Sequence, residues 1–228
     1  MLPYPESKLP LASDTWDNEE LNAIYRVIAS GRFTMGKEVA EFEEEFAAWN
    51  GSKYAVMVNS GSSANLLMVA ALFYNDYIRR GDRILVPAVS WSTTYSPIMQ
   101  FGMVPVLVDV DESFCMNPDL AGAARAAHGS IGMIAVHLLG NAASPRSFHT
   151  PLIEDCCESM GAEYDGIKVG NFGLMGSFSM FFSHHISTME GGIIVTNSNE
   201  MYKMLLSLRA HGWTRDLPGH KPSFEGSY

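Results

Sequence analysis

Positive charge, cysteine and long apolar runs are all scarce in this sequence. Against 25 Asp and Glu stand only 15 Lys and Arg, so the net charge is −10 and the pI lies near 5.1. A general nucleic-acid surface needs a basic face to neutralise phosphates, so that class is excluded, and an anionic ligand must meet a local basic pocket. Only three cysteines occur, Cys115, Cys156 and Cys157. An odd count with two members adjacent suits neither a disulfide framework nor a four-ligand metal site, so reduced thiols and no metal are expected. No apolar run approaches the roughly 18 residues of a membrane helix. Residues 1–8 lack the basic start and apolar core of a signal peptide, so the expectation is a cytoplasmic protein with no membrane partner. No internal repeat is visible.

What remains is an ordinary globular composition. The 228 residues are 47% hydrophobic and 18% charged, enough for one large domain with a full core. Residues 1–16 are Pro-rich and irregular. Asp17 with Glu20 then forms a capping-box pattern that opens a helix carrying Leu21, Ile24, Tyr25 and Ile28, and Gly31 stops it. A second amphipathic helix follows the loop, with Val39, Phe42, Phe46 and Trp49 on one face and glutamates on the other.

From Lys53 onward, apolar strands alternate with helices. Strands are expected over 54–58, 84–89, 104–110, 131–138, 151–153, 178–182 and 193–196, and an apolar helix over 66–77. Continuous Val/Ile/Leu/Met runs suit strands buried on both faces, which makes the fold class α/β with a mainly parallel sheet flanked by helices. Ligands of such sheets sit at the carboxyl ends of strands, so the polar residues that follow each strand carry the interest.

Four such stretches stand out. Asn59-Ser60-Gly61-Ser62-Ser63-Ala64-Asn65 is either a phosphate-binding helix start or a plain N-cap. Trp91, in Pro87-Ala-Val-Ser-Trp91, either covers a flat aromatic ligand or packs in the core. Glu154-Asp155-Cys-Cys-Glu158 places carboxylates at a strand end, to cap a helix or to pair with a cation. Ser179…His184-His185…Glu190-Gly-Gly192 runs a strand into a polar turn with two histidines, which either satisfy each other or serve a metal or catalytic role.

In this order, and together with Val136-His137-Leu-Leu-Gly140-Asn141, these motifs resemble the DegT/DnrJ/EryC1/StrS sugar aminotransferase family, whose members use pyridoxal 5′-phosphate. The resemblance spans essentially the whole chain. The family's turn before Glu-Gly-Gly carries a lysine that holds the cofactor covalently; here His184 stands at that position, the mark of the 3-dehydratase branch. Iron–sulfur 3-dehydratases share the histidine but need a set of cluster cysteines that is lacking here.

The resemblance implies a catalytic His184, working with pyridoxal or pyridoxamine 5′-phosphate (PLP or PMP) as a proton carrier near neutral pH. It implies Gly61, Ser62 and Ser179 at the phosphate, Trp91 over the ring, Asp155 at the pyridine nitrogen and Glu158 beside the ring. Arg32, Phe33, Thr34, His211 and Arg215 match positions that face the nucleotide sugar. The implied reaction is 3-dehydration of a nucleotide-linked 4-keto-6-deoxyhexose of the GDP-4-keto-6-deoxymannose type. Glutamate restores PMP, the setting is colitose-type dideoxysugar and lipopolysaccharide synthesis, and the protein is a homodimer. A nucleotide-sugar aminotransferase and a cofactor-binding remnant without turnover are the alternatives. By the same resemblance, residues 17–200 form the cofactor-binding large domain and 201–228 begin the linker to a smaller C-terminal domain absent from this sequence. The segment between Asn141 and Pro151 is shorter than the family's, so a helix there is expected to be reduced or missing.

Overall fold

The computed structural model describes residues 12, 15–145, 151–214 and 217–218. Helix α1 (Asn18–Ser30) opens on the expected capping box of Asp17 and Glu20 and closes at Gly31, whose φ of 65° is the left-handed shape that stops a helix. Helix α2 (Lys37–Asn50) follows, burying Phe46 and Ala47. The chain then alternates β1 (Tyr54–Val58), α3 (Gly61–Tyr74), β2 (Arg83–Pro87), α4 (Ser92–Gln100), β3 (Val104–Val108), α5 (Pro118–His128), β4 (Gly132–Val136) and β5 (Leu152–Asp155). A short hairpin of β6 (Glu163–Tyr164) and β7 (Ile167–Lys168) precedes β8 (Met175–Ser179), β9 (Gly192–Thr196) and α6 (Asn199–Arg209).

Seven strands form one sheet in the order β1-β9-β8-β5-β4-β2-β3. All run the same way except β9, which is antiparallel to both of its neighbours. Both faces are covered, as the continuous apolar runs require. Val56, Val86, Ile134, Ile153 and Ile194 meet α3, α4 and α6 on one face. Their alternating neighbours, among them Met133, Leu152, Ile193 and Val195, meet α2 and α5 on the other.

Register fixes what gathers at the carboxyl edge. Gly192 lies opposite both Val58 and Ser179, and Asp155 lies opposite both Val136 and Ser177. The turn after β1 therefore comes against the ends of β8 and β9. At Gly192 a Cβ would stand 2.8 Å from the Gly61 nitrogen, so only glycine permits this approach.

Most strand ends shift by one or two residues from the sequence pattern, and three differences bear on the site. The strand expected over 178–182 is β8, ending at Ser179. Beyond it Met180 N–H bonds to the Gly191 carbonyl and Thr188 N–H to the Met180 carbonyl, which closes a turn carrying Phe181 and Phe182. The Ser60–Asn65 stretch is the first turn of α3 itself, because the Ser60 hydroxyl accepts from Ser63 N–H and caps the helix. The expected domain boundary at residue 200 falls inside α6, whose Met201 and Leu205 are buried in the core beneath α3. The Asn141–Pro151 expectation falls partly on residues 146–150, outside the described residues.

Candidate active site

A cavity of about 430 Å³ opens at the carboxyl edge, within the range of small-molecule pockets. Gly61, Ser62, Trp91, Asp155, Glu158, Ser179 and His184 all line it, so the residues singled out at four separate places in the sequence meet in one space.

The floor at one end is the start of α3. Ser60 caps Ser63 N–H, and the Ser60 carbonyl takes Ala64 N–H, which leaves the Gly61 and Ser62 N–H groups without a partner among the described residues. Unpaired N–H groups at the positive end of a helix suit an anion. A Cβ on Gly61 would come within 2.7 Å of both Cys157 Sγ and Ser179 Cβ, so glycine lets the helix start lie directly against the β5 and β8 ends. The Ser179 hydroxyl accepts from Phe181 N–H at 3.3 Å and retains its own proton to donate.

At the other end stands Asp155, buried at the tip of β5. Its Oδ2 accepts from Asn65 Nδ2 and from Thr94 Oγ1, each at 2.8 Å, and its Oδ1 accepts from Cys157 N–H at 3.2 Å. Trp91 is 72% exposed at the head of α4, so the core-packing alternative for this indole does not hold; it lines the cavity instead.

His184 sits on the turn after β8, its N–H bonded to the Phe181 carbonyl at 2.9 Å. Burial holds its imidazole below the ordinary value of 6.5; the nearby Glu158 charge works against this and the His185 charge reinforces it. A neutral ring near pH 7 is ready to accept a proton. The two neighbouring thiols are not nucleophiles of this site: burial pushes Cys156 and Cys157 well above the ordinary thiol range, and the Glu154 and Asp155 charges push Cys156 in the same sense, as Asp155 does Cys157.

One buried cluster has metal-ligand chemistry, His137, Glu154 and Cys156. The side-chain polar atoms of His137 and Glu154 are already committed. Ala143 N–H donates to His137 Nδ1 at 2.9 Å, so the proton sits on Nε2 and is donated to Glu154 Oε2 at 2.9 Å. Glu154 also accepts the N–H groups of Gly170, Phe172 and Gly173 at 2.8, 2.8 and 2.6 Å. This is a structural clamp between β4, β5 and the approach to β8.

The expected sugar-facing residues lie elsewhere. Arg32, Phe33 and Thr34 are exposed on the α1–α2 loop, and His211 is exposed beyond α6; none lines the cavity. Arg215 lies outside the described residues. Conversely, Asn65, Thr94, Ser90, Ser177 and Glu190 belong to the site or its support and were not singled out as binding residues. Asn65 was visible as one polar residue entering an apolar helix, and Ser177 as a polar residue in a buried strand. Among the described residues no helix is long and apolar enough to cross a membrane.

Comparison with known proteins agrees with this geometry. The chain is 51% identical over 222 residues to GDP-4-keto-6-deoxy-D-mannose 3-dehydratase from Yersinia pseudotuberculosis, covering 92% of this chain and 56% of the relative. A solved structure of GDP-4-keto-6-deoxymannose-3-dehydratase with a trapped PLP-glutamate geminal diamine superimposes with a TM-score of 0.86 at 48% identity, over 92% of this chain and 56% of that one. A mutant of the same enzyme with bound GDP-perosamine gives a TM-score of 0.84 at 48% identity, with the same coverage. The chain thus spans little more than half the length of these relatives. The family model for the DegT/DnrJ/EryC1/StrS aminotransferase family matches residues 14–224, and the chain belongs to that family.

Proposed function

We propose that the cavity binds PLP and PMP without covalent attachment. In the full-length protein it serves 3-dehydration of a nucleotide-linked 4-keto-6-deoxyhexose of the GDP-4-keto-6-deoxymannose type, with glutamate restoring PMP. The observation that carries this reading is the wall beside Asp155: His184 stands there, and among the described residues no lysine lines the cavity. A site without a lysine has no amine to hold the cofactor aldehyde.

The residues present fit the group. The free N–H groups of Gly61 and Ser62 and the Ser179 hydroxyl would hold the phosphate, the Trp91 indole would cover the ring, and Asp155 would take the pyridine N–H. Glu158 would lie beside the ring. The chemistry supplied by the bound cofactor is an amine for the sugar ketone and an electron-withdrawing pyridinium. His184 would move a proton at C4′ and protonate the departing C3 hydroxyl, a dual role suited to a ring held neutral by burial.

The products are then the 3-deoxy-4-keto sugar and ammonia, with 2-oxoglutarate from glutamate, as in colitose-type lipopolysaccharide synthesis in the cytoplasm. Arg32, Phe33, Thr34, His211 and Arg215 would meet the nucleotide sugar in the full-length protein, supplying positive charge for its diphosphate. Exposed Val89, Trp91, Leu139, Phe182, Ile186 and Met189, on the loops after β2, β4 and β8, support a homodimer that covers this edge.

Incubating the full-length protein with GDP-4-keto-6-deoxymannose, PLP and glutamate tests the reading. Release of ammonia with 2-oxoglutarate is the expected outcome. A stable amino sugar in place of ammonia would make it an aminotransferase, and cofactor binding with neither product would leave only the binding function.

A further inference from the structure

Resting on the cofactor reading above, we propose that Thr94 and Asn65 are positioning residues, which hold Asp155 Oδ2 so that Oδ1 is presented to the ring nitrogen. All four side chains involved are fully buried or nearly so: Asp155 is 5% exposed, Asn65 4% and Thr94 0%, with Ser177 behind them at 0%.

The donor directions follow from the geometry. Thr94 has one hydroxyl proton and spends it on Asp155 Oδ2, so Ser90, 2.8 Å from Thr94 Oγ1, donates to Thr94. The Asn65 amide is fixed from both sides, its nitrogen on Asp155 Oδ2 and its oxygen accepting from Ser177 Oγ at 2.6 Å. Two chains of hydrogen bonds, Ser90 to Thr94 and Ser177 to Asn65, therefore converge on one oxygen of one carboxylate. Oδ2 is saturated. Oδ1 accepts Cys157 N–H at a long 3.2 Å and keeps acceptor capacity for a donor in the cavity.

The two positioning residues sit on the helices that carry the other cofactor contacts. Asn65 is one turn along α3 from Gly61, and Thr94 is three residues after Trp91 on α4. Asp155 is thus tied by direct hydrogen bonds to the helix that begins at Gly61 and to the helix that follows Trp91, which sets the spacing of all three contacts. Misplacement of one contact by a fraction of an ångström is enough to weaken such a site.

The test uses this chain with PLP and with its 1-deaza analogue, in which the ring nitrogen is replaced by carbon. Thr94→Val should bind PLP about tenfold more weakly, the loss expected for one hydrogen bond to a charged group. It should bind the deaza analogue as the unmutated chain does, and Thr94→Ser should restore PLP affinity to within about threefold. Should Thr94→Val fail to fold by circular dichroism, Ser177→Ala leaves Asp155, Asn65 and Thr94 in place, removes the donor to Asn65 and should give a smaller loss in the same sense. Equal weakening of both ligands, or no weakening of PLP, would overturn the proposal. Failure of the unmutated chain to bind PLP would instead remove the cofactor reading on which the proposal stands.

Discussion

The carboxyl edge of the sheet and the α1–α2 loop both carry residues that the family resemblance assigns to ligands, and they differ sharply in structure. At the edge, Glu154 and Asp155 are buried and accept seven hydrogen bonds between them, from His137, Gly170, Phe172, Gly173, Asn65, Thr94 and Cys157. On the loop, Arg32, Phe33 and Thr34 are exposed, with Phe33 at 73%. Among the described residues, pre-organisation is therefore dense at the edge and sparse on the loop. The first region owes its geometry to the sheet and to the helix starts of α3 and α4 packed on it, whereas the second has no comparable support among the described residues.

That contrast is broken most severely at Glu154. Glu154→Ala leaves the buried His137 N–H and three backbone N–H groups unpaired, so chemical denaturation should show a loss of about 3–5 kcal/mol. A loss below about 1 kcal/mol would mean that the clamp contributes little.

Asp155→Ala comes next, with an effect on binding. Removing the carboxylate proposed to take the pyridine N–H should weaken PLP about a hundredfold in a spectroscopic titration. Arg32→Ala and His211→Ala, made in the same chain, should leave PLP affinity within about twofold, because neither residue lines the cavity. A large effect from either loop substitution would erase the distinction between the two regions.

The sequence made the first region legible because each contributor follows directly on a buried strand. Val58, Val136, Asp155 and Ser179 end β1, β4, β5 and β8, and apolar runs mark those ends well enough to place the polar residues beyond them. Strand ends were less visible where apolar residues continue past the ladder, as at Phe181 and Phe182, since a turn is closed by backbone hydrogen bonds that side-chain hydropathy does not report. The support of Asp155 was hidden for another reason. Asn65, Thr94 and Ser177 come from three elements up to 112 residues apart, and only the register that sets Ser177 beside Asp155 brings them together. The antiparallel β9 was equally unreadable, because parallel and antiparallel neighbours present the same buried apolar run.

His184 is where the comparison is sharpest, since it decides what kind of site the ordered region is. The direct measurement is a PLP titration of this chain at neutral pH, followed by borohydride reduction and intact-mass analysis, in parallel with His184→Lys. The expected result is a cofactor absorbance change with no covalent adduct in the unmutated chain, and a reducible adduct of one cofactor in His184→Lys. A covalent adduct on the unmutated chain, or no absorbance change with folded protein, would contradict a non-covalent PLP site built around His184.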